Sequence, residues 1–268
     1  MLSINLTVHN KDFLLHNCLE RIKKYTTGTY EIIIVLDGCT DSCSFIVDQF
    51  ISNNKELKIK KLETPNVFET KANNLAAKNS TGDYIAIIQD DMLINEISWN
   101  KRMMEPFNSF NDVFSVTART SHNWKINPIS KYLNYDTLPK GIWSDILIHL
   151  DHADRNNTPR NIFSIRDSSN RGPLLINHQD LEKMGYFDEA FSPQDMDDHD
   201  LHYRVKKKLG KVTGLYWIDY ISEDSWGGTR ESGEVGQWLL NSNHKNQKII
   251  YDRHKELLIG GKKESRRL

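Results

Sequence analysis

The sequence predicts an α/β domain, a mostly parallel sheet flanked by helices. Strand-like and helix-like patterns alternate through residues 1–112. Two of the strand segments, Tyr30 to Leu36 and Tyr84 to Ile88, are near-continuous apolar runs, the pattern of a sheet buried on both faces. Polar residues close those runs, and in parallel sheets ligands bind outside the carboxyl ends of the strands.

Ser3 to Val8 is the first short strand, and Lys11 to Tyr25 follows as a helix with Phe13, Leu14, Cys18, Leu19 and Ile22 at helical spacing. Tyr30 to Leu36 is a continuous apolar strand. Asp37-Gly38-Cys39-Thr40-Asp41 is turn chemistry, with Thr40 or Asp41 placed to cap a helix through Phe45, Ile46, Val47 and Phe50. A strand from Leu57 to Leu62 precedes a helix from Thr70 to Lys78, and Thr81-Gly82-Asp83 turns into strand Tyr84 to Ile88. Beyond a strand at Val113 to Thr117 the pattern loosens. Residues 119–171 read as a long, polar, loop-rich binding surface. Order resumes at Gly172 to Asn177 and the helix Gln179 to Met184, then a helix opened by the acidic run Asp195 to Asp200, then a strand within Val212 to Ile221. Ser225 to Arg230 reads as a hinge-like loop and Gln237 to Leu258 as a C-terminal helix. The expected organisation is one domain in three parts: 1–112, 113–230, and a C-terminal loop and helix at 231–268.

Composition bounds the partners. The 268 residues are 38% hydrophobic and 26% charged with a net charge of −1, so no global field draws the chain to nucleic acid. No apolar run is long enough for a transmembrane segment, and the N-terminus lacks a secretory pattern, so a cytoplasmic location is expected. Cys18, Cys39 and Cys43 fit a reduced compartment and lack zinc-site spacing. Lys206-Lys207-Lys208 reads as a solvated face, and the basic tail Lys262 to Arg267 as a frayed terminus. His122, His149, His152, His178, His199 and His202 read as scattered surface or core residues.

Two carboxylate clusters carry the chemistry. Adjacent carboxylates repel unless a cation or proton relieves them. Asp90-Asp91 ends the strand Tyr84 to Ile88, with Gln89 before it. Such a pair suits a hard divalent cation, Mn(II) or Mg(II), that also takes phosphate oxygens. Thr7, His9 and Asn10, then Asp37, then Asp90 and Asp91 stand at neighbouring strand ends and line one crevice. The second cluster holds four aspartates in six residues, Asp195 to Asp200. It lacks the glycine and glutamate of a calcium loop, and helix-dipole stabilisation accounts for only one or two of its carboxylates. At least one is expected to be a general base. Trp143 and Trp226 could stack on a sugar face or serve core or loop packing, and Arg171 could reach a sugar hydroxyl or phosphate or equally pair with a nearby acid.

These segments, in order, resemble the family-two glycosyltransferases of the GT-A fold. Ile4 to Asn10 is similar to their first strand, Glu31 to Asp41 to their second strand and Asp-Gly-Ser-x-Asp turn, and Asn74 to Lys78 with Gly82 to Ile85 to the stretch before the metal site. Gln89-Asp90-Asp91 stands at their Asp-x-Asp signature. Gly185 to Glu189 and Asp197 to Leu201 with Arg204 resemble their acceptor-side pattern. The resemblance implies a UDP- or GDP-linked sugar donor, with UDP the commoner, a glycan or other hydroxyl acceptor, and inversion at the anomeric carbon. It implies that Thr7, His9, Asn10, Asp37 and Asn74 serve the nucleotide-sugar, Asp90 the ribose or diphosphate, and Asp91 the cation. Asp198 would be the base with Asp197 beside it, and Asp200 stands on the acceptor side. Three positions depart from the family pattern. Gln89 replaces the first aspartate, Asp197 replaces a glutamate, and Ser222-Glu223-Asp224-Ser225 lies where a histidine ligand is common, leaving Asp224 or Glu223 as substitute ligands. A sugar-phosphate nucleotidylyltransferase would need a glycine-rich basic loop that Val8 to Asp12 does not supply, and a non-catalytic binding module would not need the two carboxylate clusters.

Overall fold

The computed structural model describes residues 1–128, 146–193, 195–226 and 233–268. Strands β1 (Leu2–Val8), β2 (Tyr30–Asp37), β3 (Lys58–Thr64) and β4 (Tyr84–Gln89) run parallel in the order β3-β2-β1-β4. Helices α1 (Asp12–Tyr25), α2 (Cys43–Asn53) and α3 (Phe68–Lys78) connect them. Side chains alternate across a strand. Ile4, Leu6, Ile32, Ile34, Ala86 and Ile88 accordingly pack on one face with the apolar stripe of α1 (Leu14, Leu15, Cys18, Leu19, Ile22). The alternate residues Ile33 and Val35 meet Ala72 and Ala76 of α3, while Ile85 and Ile87 join a separate cluster with Leu174 and Leu201. Both faces are covered, which is why the middles of β2 and β4 are apolar throughout; on β1 the second face carries Ser3 and Asn5, buried and bonded to Glu31 and Ser80.

The chain then adds β5 (Leu93–Ile94), α4 (Trp99–Ser109) and β6 (Val113–Thr117). Residues 119–171 are not the loop-rich stretch expected. Their described parts form β7 (Thr120–Ile126), β8 (Leu147–Asp154), β9 (Ile162–Arg166) and β10 (Ser168–Ser169). Next come β11 (Leu174–Asn177), α5 (His178–Lys183), α6 (Asp197–Leu209), β12 (Val212–Leu215), β13 (Tyr220–Ile221), α7 (Gly233–His254) and β14 (Glu264–Arg267). Among the described residues the central sheet has nine strands, ordered β14-β9-β12-β6-β11-β4-β1-β2-β3, and β10-β7-β8 form a second sheet. The basic tail is not frayed: β14 pairs antiparallel with β9, and Arg266 grips Asp112 through two nitrogens at 2.5 and 2.8 Å. The hinge-like reading of residues 225–230 falls mostly outside the described residues. No described helix is long and apolar enough to cross a membrane.

Candidate active site

The register of the parallel strands builds the crevice. Thr7 on β1 lies opposite Val35 on β2 and Gln89 on β4, so the residues that follow, His9, Asp37 and Asp90, emerge at one level. They hold one another. The His9 backbone N–H donates to Asp90 Oδ2 at 2.9 Å, and the His9 ring donates through Nδ1 to the Asp37 carbonyl at 2.6 Å. Asn10, in the left-handed region at φ 51°, accepts the Thr40 N–H at 2.8 Å. Asp37 is buried, and its Oδ1 accepts from Thr64 Oγ1 and the Val67 N–H. Gly38 makes that turn practicable, because at its φ of +63° a Cβ would stand 2.7 Å from Asn66 Cβ. At the β4 end, Asp91 Oδ1 is buried with no hydrogen-bond partner among the described residues. An orphaned buried carboxylate oxygen calls for a cation or a donor, so Asp90 and Asp91 fit a hard divalent ion.

A bridge of polar side chains joins this end to the second cluster. Gln89 Nε2 donates to Glu69 Oε1 at 3.1 Å, and Arg171 Nε lies 3.2 Å from the same oxygen. Arg171 Nη1 then donates to Asp197 Oδ2 at 2.5 Å, and the Arg171 N–H to Asp198 Oδ2 at 3.2 Å. Arg119 adds a bond to Gln89 Oε1 at 3.2 Å. Gly172 lets the strand pass, since a Cβ there would meet Gln89 Oε1 at 2.5 Å. The candidate sugar ligand Arg171 is thus a buried strut between α3 and α6.

The α6 N-terminus divides its carboxylates by task. Asp195 and Met196 both take left-handed backbone (φ 74° and 67°), a strained entry of the kind that accumulates at working sites. Asp197 is fully buried on Arg171. Burial would raise the Asp198 carboxyl, but the charges of His199, Arg171 and His202 and the Arg171 N–H bring it down to about 2. Asp195 moves the other way, to about 6, chiefly through burial, with Asp198 and Asp197 adding to the rise. Asp200 is bound on the far side, to Arg204 at 2.6 Å and to His254 at 2.8 Å, so it ties α6 to α7. His202 is held neutral by burial, down to about 3. Its Nδ1 accepts the Ser169 N–H and its Nε2 meets Ser115 Oγ at 2.8 Å.

The family model described as Glycosyl transferase family 2 matches residues 3–172, which contain the whole strand-end crevice and Arg171. The chain belongs to that family. It is 29% identical over 96 residues to the glycosyltransferase GlyG of Streptococcus pneumoniae serotype 4, a match covering 36% of this chain and about a third (32%) of that relative's length. GalNAc-T7, solved with UDP, GalNAc and Mn2+, superposes with a TM-score of 0.63 at 13% identity, over 95% of this chain and 49% of that one. The mannosyltransferase PcManGT of Pyrobaculum calidifontis, solved with GDP-Man and Mn2+, gives 0.55 at 13% identity, over 91% and 69%. The fold is therefore of the GT-A type.

Within this family 2 chain some expected residues sit apart from the crevice network. Asn74 clamps α3 to the turn after α5: its Nδ2 donates to the Phe187 carbonyl at 2.9 Å and its Oδ1 accepts the Phe187 N–H at 3.0 Å. Trp226 comes to the crevice end of β1, where its carbonyl accepts from Lys11 Nζ. Asp224 opens the same short turn, and its side chain lies outside the described residues, as does Trp143. Cys39, Asp41 and Cys43 bring their ligand atoms within 4.8 Å of one another. Asp41 there braces the turn by accepting the Asp12 and Cys43 N–H groups. The sequence reading also missed a histidine cluster. His122, His149 and His199 surround Trp124, with ring centroids 4.4 Å apart for His122–His149, 4.1 Å for Trp124–His149 and 5.1 Å for Trp124–His199. The alternation His122-x-Trp124 was the available signal, since period two puts both side chains on one face of a strand.

Proposed function

We propose that this chain is a metal-dependent inverting glycosyltransferase that moves a sugar from a nucleoside-diphosphate donor, UDP-linked in preference to GDP-linked, to a hydroxyl acceptor. The observation that carries the reading is the Gln89–Glu69–Arg171–Asp197 bridge, which ties the end of β4, where Asp90 and Asp91 follow, to the α6 carboxylates. Residues 1–112 form the donor half and 113–230 the acceptor half. Thr7, His9, Asn10 and Asp37 shape the base and ribose end, and Asp90 faces the ribose or diphosphate. Asp91, with Asp224 as a second candidate, would hold Mn(II) or Mg(II), which when bound offsets charge on the departing diphosphate. Asp198 accepts the acceptor hydroxyl's proton as that oxygen bonds to the anomeric carbon and the bond from carbon to the diphosphate oxygen breaks. Asp197, paired with Arg171, holds its neighbour in place. Asp198, lowered to about 2, is ionised at neutral pH, the form from which a base must start. The Mn2+ complexes with UDP or GDP-Man in the two structural relatives support the donor and metal assignment.

The test is a nucleotide-sugar screen with Mn2+ on the wild type, Asp91→Ala and Asp198→Ala. Asp91→Ala is expected to weaken Mn2+-dependent nucleotide binding by about tenfold or more. Asp198→Ala should keep nucleotide affinity and lose about 10²–10⁴ in transfer rate. Transfer by Asp198→Ala at the wild-type rate would remove it as the base. If no nucleotide sugar at about 1 mM with Mn2+ raised the melting temperature, the donor assignment would fail.

A further inference from the structure

Next to the α6 carboxylates lies a cavity of about 570 Å³, within the roughly 300–1,000 Å³ typical of small-molecule sites. His122, Trp124, His149, Asn170, Asp195 and His199 line it. Three of these residues carry buried polar atoms with no hydrogen-bond partner among the described residues: His122 Nδ1, Asn170 Oδ1 and His199 Nδ1. Buried polar atoms are normally paired, so three orphans on residues around one cavity point to a ligand that completes them.

The chemistry of the lining selects that ligand. Asn170 Oδ1 only accepts hydrogen bonds, so the ligand must donate. The described lining contains no lysine or arginine. Burial holds His122 neutral, its imidazole pushed down to about 3. A phosphate, sulfate or carboxylate would offer Asn170 nothing and would share the cavity with the Asp195 carboxylate, whose oxygens the Met196 N–H and Asn243 Nδ2 already hold. A sugar hydroxyl donates and accepts, and the Trp124, His122 and His149 rings add flat surface against which a pyranose C–H face packs. The position is suitable too. His199 Nε2 is 3.8 Å from Asp198 Oδ1, and Asn170 immediately precedes the Arg171 N–H that holds Asp198.

We propose that this cavity binds an uncharged sugar ring of the acceptor and excludes phosphorylated or acidic acceptors. The assignment rests on Asp198 as the base of a glycosyltransferase. The experiment is a glycan array carrying uncharged glucosyl, galactosyl and N-acetylhexosaminyl oligosaccharides beside phosphorylated, sulfated and sialylated ones. It is probed with labelled protein, with and without UDP and Mn2+. Binding is expected on uncharged glycans only. His122→Phe, and His149→Ala at an exposed position that folding tolerates, should each reduce the signal by about tenfold, with UDP affinity kept within about twofold. Signal confined to acidic glycans, signal unchanged in both variants, or no signal from protein that binds UDP would overturn the proposal. Glycan binding that depends on His122 and His149 in a protein with no affinity for UDP or GDP would uphold the cavity and remove the donor reading.

Discussion

Arg171 is 5% exposed and serves three acids at once: Asp197 at 2.5 Å, Glu69 at 3.2 Å and, through its backbone, Asp198 at 3.2 Å. Burial opposes the charge on its guanidinium, and the three carboxylates more than offset that penalty. Removing one partner of a buried pair leaves the other uncompensated, at about 3–5 kcal/mol. Arg171→Met should therefore lower the unfolding free energy by about that amount in urea titrations, and Asp197→Asn in the same background should restore part of it. A loss below about 1 kcal/mol would mean that water already reaches the pair. That Arg171 could pair with a nearby acid was legible in the sequence, but which acids was not. Arg171 was noticed there for its position beside Gly172-Pro173, and the acids it meets come from residues 69, 197 and 198, which only the fold brings together.

Among the elements, those buried on both faces were the legible ones. β2 and β4 are continuous apolar runs, β1 alternates Leu2, Ile4, Leu6 and Val8 with polar residues, and α1 has an uninterrupted apolar stripe, so periodicity alone placed them within a residue or two. β7 escaped because its buried positions on both faces include Ser121, His122 and Asn123, which read as polar, beside Trp124. β14 escaped because Glu-Ser-Arg-Arg has no apolar residue at all. It is an edge strand held by its ladder to β9 and by charge, and the opposite edge, β3, likewise carries Lys58, Lys60, Lys61 and Glu63. Charged edges resist pairing with other chains. Truncation before Lys262 removes the ladder and uncovers β9, whose Phe163 is fully buried. The melting temperature should fall clearly in calorimetry. Arg266→Ala removes only a partly exposed ion pair and should shift it by less than about 4 °C, since such pairs contribute about 0–1 kcal/mol. An equal effect of the two changes would show that the Asp112 contact, and not the strand, holds the tail.

For the whole molecule the buried histidines dominate the response to acid. His122 and His202 stay neutral in the fold, with values near 3, whereas unfolded histidines protonate below about 6.5. Between pH 6 and 4 the unfolded chain thus binds about two more protons at these sites, and stability falls as pH falls. Asp195, raised to about 6, takes up one proton in the folded state over the same window and opposes the trend. Asp198, lowered to about 2, adds a further loss only below the ordinary carboxylate range. The net slope from these groups is one proton, about 1.4 kcal/mol of stability lost per pH unit on acidification. Chemical denaturation at pH 4.5, 5.0 and 5.5 measures it. His122→Phe should bring the slope close to zero, and an unchanged slope would show that His122 protonates freely in the folded protein.

The position of Gln89 also constrains how such a protein can change over generations. Its amide gives a proton to Glu69 and takes one from Arg119, under a glycine that leaves no room for displacement. Aspartate at this position would set a second carboxylate against Glu69 and shorten the reach to Arg119. That change becomes neutral only after Glu69 has lost its charge, and that prior step would take a partner from Arg171. The glutamine is therefore locked in: any route from it to aspartate passes through a less stable intermediate.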